Sequence, residues 1–419
     1  MKGYHDKKKG FGITYDNIYL VNGARTPFGK LCGTLGQVSP TDLAIYATKA
    51  AIEKSGIKGD DIDQVMYANI GQSSADSYFF PRHVGLYSGI PEGVPAVMLQ
   101  RICGSGFETI IAGAEQISLG KANTALCGGA ENMSLAPTAS FGNRMGYPLG
   151  KIDFKDMLWE SLNDTAAVPM GCTAENVAEK HHITKEEANI FAKQSVDKYI
   201  AAKERGFFDG EVVKMNSAEF VVEGLNPRKV RLPKHAVDFC TDENVYPADL
   251  EKMAKLPSVF ARDGVQTAAN SSGIVDGAAS VVVASGDFIN EKGLKPLSRI
   301  VASATSALDP RVMGLGPVPA IKLVLEIAGL TLADIGLIEI NEAFAAQFLG
   351  CEKELGLNRD ICNVNGGAIA LGHPLAATGT RLSLTISREM QARGVKYGVA
   401  SACIGGGQGT AILFENMNA

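Results

Sequence analysis

The sequence predicts an α/β protein made of two related halves with a polar segment inserted between them. Apolar β-rich runs alternate with helical patterns, which is typical of parallel strands covered by helices. Four landmarks recur in the same order in both halves, and between them the glycine clusters give way to charged helices. We expect a solvated tail over residues 1–16, a first half over 17–132 completed by about 272–296, an inserted domain over 133–271 and a second half over 297–419.

The first half opens with a strand followed by a capped helix. Residues 18–21 (Ile-Tyr-Leu-Val) form an apolar run typical of a strand, Ser39 and Pro40 give a helix start, and Gly56 ends that helix. Further strands are expected at 64–69, 94–99 and 124–127, with a helix between the last two.

The second half repeats these signals. Each half carries, in order, a glycine that ends a helix, an aspartate before a strand, a polar residue at the start of another helix, and a cysteine followed by glycines. The pairs are Gly56 and Gly329, Asp61 and Asp334, Cys103 and His373, and Cys127 and Cys403. The spacings agree within three residues, which indicates duplication. A pseudo-twofold axis would therefore bring Cys103 and His373 together.

The inserted segment has its own signals. Thr184 and Glu187 form a capping box for a helix that runs to Gly206. Residues 221–257 are irregular and polar, with little indication of a core. We interpret this segment as an insertion into the first half that could cover a functional site.

Composition narrows the class of protein. Of 419 residues, 46% are hydrophobic and 20% charged, which excludes bulk disorder. A net charge of −5 argues against nucleic acid or an anionic membrane as a partner, and no apolar run approaches the roughly 20 residues of a membrane span. The eight cysteines include no C-x-x-C pair, so we expect no disulfide scaffold and no metal site. The N-terminus has neither an apolar signal nor transit-peptide character, so a cytoplasmic location is expected.

Two candidate catalytic residues lie at helix starts. Cys103, in Arg101-Ile-Cys-Gly-Ser-Gly, would have its thiolate stabilised by the helix dipole, although a buried filler thiol is the alternative. His373 lies in a glycine-rich turn, where a histidine bonded only to loop carbonyls is the alternative.

Two further segments suggest oxyanion chemistry. The glycines after Cys403 allow backbone N–H groups to converge on an anion, although a tight turn would also need them. Asn341 follows a strand and could orient a water or a carbonyl, or simply cap a helix. Two thiols and an imidazole suit acyl transfer to sulfur. A serine hydrolase is excluded because no G-x-S-x-G is present. A dinucleotide fold is disfavoured because the glycine clusters lie late in each half and no acidic residue follows them at the expected spacing.

Together these segments resemble the signature blocks of the thiolase family, from about Ile18 to Glu415. The blocks are Cys103-Gly-Ser-Gly, Asn341-Glu-Ala-Phe, Gly372-His373-Pro374 and Cys403-Ile-Gly-Gly-Gly. The resemblance implies a duplicated five-layered α-β-α-β-α fold with an inserted loop domain, and a homotetramer or homodimer. It also implies CoA-dependent thiolytic cleavage of 3-oxoacyl-CoA, including acetoacetyl-CoA, and the reverse Claisen condensation.

The resemblance assigns a role to each catalytic residue. Cys103 would carry the acyl group as a thioester. His373 would activate Cys103 and bind the thioester oxygen of the second substrate, together with a water held by Asn341. The backbone N–H groups of Cys103 and Gly405 would form a second oxyanion hole. Cys403 would move the proton to and from the acetyl α-carbon.

The resemblance also implies how coenzyme A binds, as a substrate rather than as a bound cofactor. Ser272 would bond the pantetheine, and apolar residues that could equally be ordinary core would line the pocket. These are Met170, Phe260, Met313 and Phe344. Basic residues would meet the nucleotide phosphates, unless they only form a solvated face. They are Lys214, Arg228, Lys229, Arg231 and Lys234.

Some positions depart from the family pattern. Ala376 replaces a usual Gly, where a methyl group could crowd the helix start, and Gln100 replaces a frequent Asn. Val168-Pro169-Met170 resembles the broad-range 3-ketoacyl-CoA thiolases, which predicts short and medium acyl chains. Two alternatives stay open: another condensing enzyme of the ketoacyl synthase type, and a non-catalytic acyl-CoA binder.

Overall fold

The computed structural model describes residues 1–419 and contains sixteen strands and twelve α-helices. The strands are β1 (Lys2–Asp6), β2 (Gly10–Thr14), β3 (Ile18–Arg25), β4 (Gly29–Lys30), β5 (Gln64–Ala68), β6 (Ala96–Met98), β7 (Thr124–Glu131), β8 (Thr138–Ala139), β9 (Lys155–Asp156), β10 (Ala218–Phe220), β11 (Arg228–Val230), β12 (Val275–Ser285), β13 (Ser298–Ala307), β14 (Leu337–Ile340), β15 (Tyr397–Ile404) and β16 (Gln408–Glu415). The helices are α1 (Pro40–Lys54), α2 (Phe80–Tyr87), α3 (Ser105–Ser118), α4 (Met157–Leu162), α5 (Met170–His181), α6 (Lys185–Glu204), α7 (Leu250–Lys255), α8 (Gly286–Lys292), α9 (Pro317–Ala328), α10 (Ala345–Leu355), α11 (Ala368–Leu371) and α12 (Leu375–Arg393). None of the helices combines the length and the apolar character needed to cross a bilayer.

The strand order shows the duplication directly. The main path of the sheet runs β14-β15-β16-β13-β3-β12-β7-β5-β6. In the first half, β3, β12 and β7 are antiparallel neighbours and β7 runs parallel to β5. In the second half, β13, β16 and β15 are antiparallel neighbours and β15 runs parallel to β14. The two halves therefore repeat one pattern, and they join where β13 pairs with β3.

Helices α3 and α12 form the central layer between the two sets of strands. A Cβ atom on Gly106 would lie 2.5 Å from the Thr380 nitrogen, so the two helix backbones are in contact there. Apolar side chains from both helices share one core with strands of both halves, for example Phe107, Leu382, Val281 and Ile412. Helix α1 covers β3 and β12 on one outer side, and α9 covers β13 and β16 on the other. The predicted five-layered α-β-α-β-α arrangement is confirmed.

The segment between the halves is tied into both of them. Helices α5 and α6 pack on α10 of the second half. On the other side, the Arg25 guanidinium in β3 lies 2.7 Å from Glu211 and 2.7 Å from Asp242, and all three side chains are buried. Removing one partner of such a buried network is costly, typically by about 3–5 kcal/mol. Asp242 thus contributes a buried ion pair from residues 221–257, a segment whose sequence gave little indication of a core.

Residues 2–14 form a hairpin rather than the solvated tail that we expected. Strand β1 pairs with β2, and β2 pairs with β13, with Phe11 opposite Thr305 and Thr14 opposite Ala302. The ammonium group of Lys9 also reaches Glu326 at 2.7 Å. The partner strand lies almost 300 residues away, so no local pattern could reveal this pairing.

Candidate active site

A small apolar cavity of about 90 Å³ lies where the two halves meet the inserted segment. Seven of the residues predicted for the site line it, namely Cys103, Met170, Phe260, Ser272, Met313, Phe344 and His373. Trp159 and Leu162 also line it, although nothing in their local sequence indicated a role. The cavity therefore brings a thiol and an imidazole together, as the duplication predicts.

Cys103 lies in a tight loop directly before α3. Ile102 has a φ of +41°, an uncommon conformation for a β-branched residue, and Ser105 Oγ donates to its carbonyl at 2.7 Å. A Cβ atom on Gly104 would collide with Ile404, so this loop reaches β15 only because it has glycine there. Burial raises the pKa of the Cys103 thiol to about 12, against the opposing effect of the Gly405 and Cys103 backbone N–H groups. The resting thiol is therefore protonated and needs a base.

His373 is held in one tautomer. The Thr378 hydroxyl donates to the Pro374 carbonyl at 3.1 Å, so its oxygen is left to accept from His373 Nδ1 at 2.6 Å. Nε2 then has the lone pair, and it accepts from Asn341 Nδ2 at 3.2 Å. Burial lowers the pKa of His373 to about 3, and Arg381 acts in the same direction. The side chain is thus a neutral imidazole whose Nε2 is unprotonated and can take a proton in place of the hydrogen bond from Asn341.

Asn341 is positioned through its neighbours in the chain. Its backbone N–H donates to the Ser401 carbonyl at 2.9 Å. The Asn363 amide pairs with both the N–H and the C=O of Ile340, each at 2.9 Å, and also donates to Glu342 at 2.9 Å. The Asn341 Oδ1 atom is buried and has no partner among the protein groups. A fixed amide of this kind is suited to hold a polar ligand atom or a water.

Cys403 lies near the end of β15, next to the cavity rather than in its lining. It packs with Met170, Met313 and Ala343, which do line the cavity. Burial raises the pKa of the Cys403 thiol well above its usual value, and the neighbouring Cys103 raises it further. Two protonated thiols therefore lie side by side.

A buried carboxylate that the sequence analysis missed joins the two halves beside the site. Glu131, at the end of β7, accepts from the backbone N–H of Gly71 at 2.7 Å and of Ala376 at 3.2 Å. Burial raises its pKa to about 7. The Ala376 methyl group packs in the same apolar cluster as Cys103, and its backbone is helical.

The basic residues predicted to meet phosphates do not line the cavity. Arg228 is engaged elsewhere, 2.6 Å from Asp42 and 2.8 Å from Asp76. Arg231 is exposed on the strand end that follows β11. Lys229 lies 3.6 Å from Glu219, and Lys214 lies 3.9 Å from Asp238. The contact of Arg231 with CoA stays a prediction.

A buried thiol beside a neutral imidazole, at an apolar cavity between duplicated α/β halves, defines an acyltransferase site. Two family models cover almost the whole chain: the thiolase N-terminal domain matches residues 18–287 and the thiolase C-terminal domain matches residues 294–416. The chain belongs to the thiolase family.

Similar proteins agree with this assignment. The mitochondrial 3-ketoacyl-CoA thiolase of Bos taurus is 43% identical over 95% of this chain and 98% of its own length. The acetyl-CoA acetyltransferase of Syntrophomonas wolfei is 40% identical over 95% and 98%. The crystal structure of human mitochondrial 3-ketoacyl-CoA thiolase in complex with CoA has a TM-score of 0.87 and 43% identity, and the match covers 96% of this chain and 98% of that one. This chain is an acyltransferase that uses CoA thioesters in thiolytic cleavage and condensation.

The comparisons correct one expectation. A cytoplasmic location was expected from the N-terminal sequence, and this expectation is wrong: the similar bovine and human proteins are mitochondrial 3-ketoacyl-CoA thiolases. The expectation rested on the composition of the N-terminal residues alone, which is a weak criterion for location.

Proposed function

We propose that the chain is a 3-oxoacyl-CoA thiolase that works through an acyl-enzyme on Cys103. The observation that carries this proposal is the shared cavity, in which Cys103 and His373 face one space and the Gly405 N–H points at the thiol. Neither thiol nor imidazole is ionised at rest, so the reaction starts with proton transfer between them.

In the degradative direction, His373 Nε2 takes the proton of Cys103, and the sulfur attacks the 3-oxo carbon of the substrate. The oxygen at that carbon receives hydrogen bonds from the backbone N–H groups of Cys103 and Gly405. The bond between C2 and C3 then breaks. Its electron pair forms the enolate of acetyl-CoA, which takes a proton from Cys403 and leaves. The shortened acyl group stays on Cys103 as a thioester.

The second stage returns the enzyme to its starting state. The Cys403 thiolate takes the proton of free CoA, whose sulfur attacks the thioester and receives the acyl group. Cys103 leaves as a thiolate and takes back the proton that His373 has held since the first stage. During the first stage, His373 Nε2 and a water held by Asn341 stabilise the thioester oxygen of the enolate. One such donor is typically worth about 3 kcal/mol of transition-state stabilisation. The reverse sequence is the Claisen condensation.

The substrate range follows from the cavity. Its apolar walls, including Met170, Met313 and Leu375, suit a hydrocarbon chain, and its volume of about 90 Å³ suits a short acyl group. Acetoacetyl-CoA is therefore a substrate, together with short and medium 3-oxoacyl chains. Ser272 and the edge-to-face pair of Phe260 and Phe344, 5.7 Å apart, form the side along which pantetheine enters. We assign residues 133–271 as the domain that covers it.

The chain is proposed to work as a homodimer or homotetramer. Strand β6 ends the sheet with only β5 as a partner, and Val97 in it is exposed. An open edge of this kind invites pairing with a second copy. The segment around the β8–β9 hairpin also exposes several large apolar side chains, namely Phe141, Met145, Leu149, Ile152 and Phe154. Light scattering of the purified chain distinguishes a dimer or tetramer from a monomer.

The decisive experiment is acyl-enzyme trapping. The full chain is incubated with acetyl-CoA, quenched in acid and digested, and the mass of the Cys103 peptide is measured by mass spectrometry. An acetyl group on Cys103, with release of CoA and cleavage of acetoacetyl-CoA by free CoA, supports the proposal. Failure to cleave acetoacetyl-CoA despite acylation would favour a condensing enzyme of the ketoacyl synthase type. Tight CoA binding with neither acylation nor turnover would favour a non-catalytic binder.

A further inference from the structure

One wall of the cavity differs from the others in burial. Much of the wall supplied by the two halves is buried: Met313 is 1% exposed and Leu375 is 3% exposed, while Phe344 is partly buried. Trp159, in contrast, lines the same cavity and is 49% exposed. Its ring therefore has one side toward the catalytic thiol and another toward solvent.

Trp159 lies on a short helix that packs against the apolar clusters containing Cys103 and Cys403. In the six-residue helix α4 no residue is fully buried. Its inner side is anchored by Leu158 and Leu162, which pack against the cluster that contains Cys103. Leu162 also packs against the cluster that contains Cys403. Helix α4 thus holds the indole at the mouth of the cavity through these apolar contacts and a hydrogen bond from the Met157 N–H to the Pro137 carbonyl at 3.0 Å.

The size of the cavity determines which part of an acyl chain can contact the Trp159 ring. A volume of about 90 Å³ is well below the roughly 300–1,000 Å³ of pockets that enclose a whole small-molecule ligand, so it accommodates an acetyl or similarly short group. The carbons of a longer acyl chain have to continue out of the cavity. Trp159 is the most exposed residue of the lining, and the partly buried Ser272, Phe260 and Phe344 lie on the side assigned to pantetheine. The half-exposed indole is therefore the apolar surface that we expect these carbons to cover.

We propose that Trp159 is the residue that sets acyl-chain preference, because it contacts the part of the 3-oxoacyl chain that extends beyond an acetoacetyl group. This inference rests on the proposed function. Each methylene group that leaves water for an apolar surface improves binding roughly fourfold. Several methylenes against one indole ring therefore give more than a tenfold preference for a medium chain.

The first test compares two substrates in the full-length enzyme. For Trp159→Ala we expect kcat/KM for 3-oxodecanoyl-CoA to fall at least tenfold while kcat/KM for acetoacetyl-CoA stays within about twofold. Trp159→Phe should recover most of the loss. Tyr78→Ala removes a similarly exposed aromatic side chain outside the cavity and should change neither value. An equal loss on both substrates, or no loss on either, would overturn the proposal.

The second test does not depend on turnover. Trp159 is the only tryptophan of the chain, so intrinsic fluorescence reports on this position alone. In the Cys103→Ala protein, decanoyl-CoA should shift the emission to shorter wavelength, whereas acetyl-CoA and free CoA should not. The same shift with free CoA would show that the ring contacts pantetheine, and the proposal would fail. If the Cys103 acyl-enzyme itself is wrong, no substrate turns over in the native chain, yet this fluorescence result still decides the role of Trp159.

Discussion

Asn341 Nδ2 lies 3.2 Å from Nε2 of His373, and both side chains are buried. The contact requires a lone pair on Nε2, which agrees with the Nδ1–H bond to Thr378 and with a pKa of His373 lowered to about 3. The imidazole therefore serves as a base first and as a hydrogen-bond donor once it carries the proton of the thiol. In this geometry Asn341 Nδ2 fixes the tautomer of His373, and the unpartnered Oδ1 of the same amide can accept a hydrogen bond from a ligand or a water.

Asn341→Ala should lower kcat about 100-fold, because one oxyanion donor is typically worth 10²–10³ in rate. KM should change little, since Asn341 does not line the cavity itself. Asn341→Asp keeps the shape but places an acceptor against Nε2, which favours the wrong tautomer, so its loss should be at least as large. Steady-state kinetics with acetoacetyl-CoA checks both variants. Recovery of activity in the Asp variant would contradict the tautomer assignment.

Cys103 should be slow to alkylate at neutral pH. With a pKa of about 12, the thiolate fraction rises tenfold per pH unit throughout the neutral range. The rate of iodoacetamide modification, followed on the Cys103 peptide by mass spectrometry, should therefore rise about 100-fold from pH 7 to pH 9. Cys32 and Cys240 are exposed and provide internal reference thiols in the same digest. A rate at Cys103 that is already constant above pH 7 would indicate a preformed thiolate–imidazolium pair instead.

The two thiols should fail at different steps. Cys103→Ser should give no acyl-enzyme, because the hydroxyl is a far weaker nucleophile than the thiol in this site. Cys403→Ala should still acquire an acetyl group from acetyl-CoA but should lose condensation, since no group remains to move the α-proton. Acylation is measured by protein mass and condensation by acetoacetyl-CoA formation. If both variants stop before acylation, the division of roles is wrong.

The sequence was most informative where chemistry and local structure coincide. Cys103 and His373 could be paired because each begins a helix at the same place in a repeated unit, and α3 and α12 do pack against each other. The repeat also predicted the strand pattern shared by the two halves. These signals are local and periodic, so they can be recognised in the sequence without a structure.

Contacts between distant segments could not be read in this way. The β2–β13 pairing, the Arg25–Asp242 ion pair and the Glu131 bonds to Ala376 each join residues more than 200 positions apart. Arg228 illustrates the same difficulty: its charge suggested a phosphate contact, and in the fold two carboxylates engage it. A charge is visible in a sequence, whereas its partner is a property of the fold.

Gly405 should not tolerate a side chain. A Cβ atom there would collide with the end of Met170, so Gly405→Ala has to displace either that methionine or the N–H that faces Cys103. We expect kcat to fall tenfold or more. Because the obstacle is the flexible end of one side chain, the double variant with Met170→Ala should recover part of the loss. Non-additivity in this double-mutant cycle is the measurement. Strict additivity would mean that the clash is not what limits Gly405.

Ala376→Gly restores the residue usual in the family and tests whether the extra methyl group is harmful. In this structure the methyl group fills a packed cluster with Ala68, Met133 and Cys103, and the backbone is helical rather than left-handed. Its removal should therefore cost about 1–2 kcal/mol, from lost packing and from glycine in a helix, and lower Tm by several degrees. The kcat should stay within about twofold. Ala377→Gly, one residue along the same helix and equally buried, lies outside that cluster and gives the cost of removing a buried methyl group from this helix elsewhere. A more stable or severalfold faster Ala376→Gly enzyme would show that the methyl group crowds the helix start.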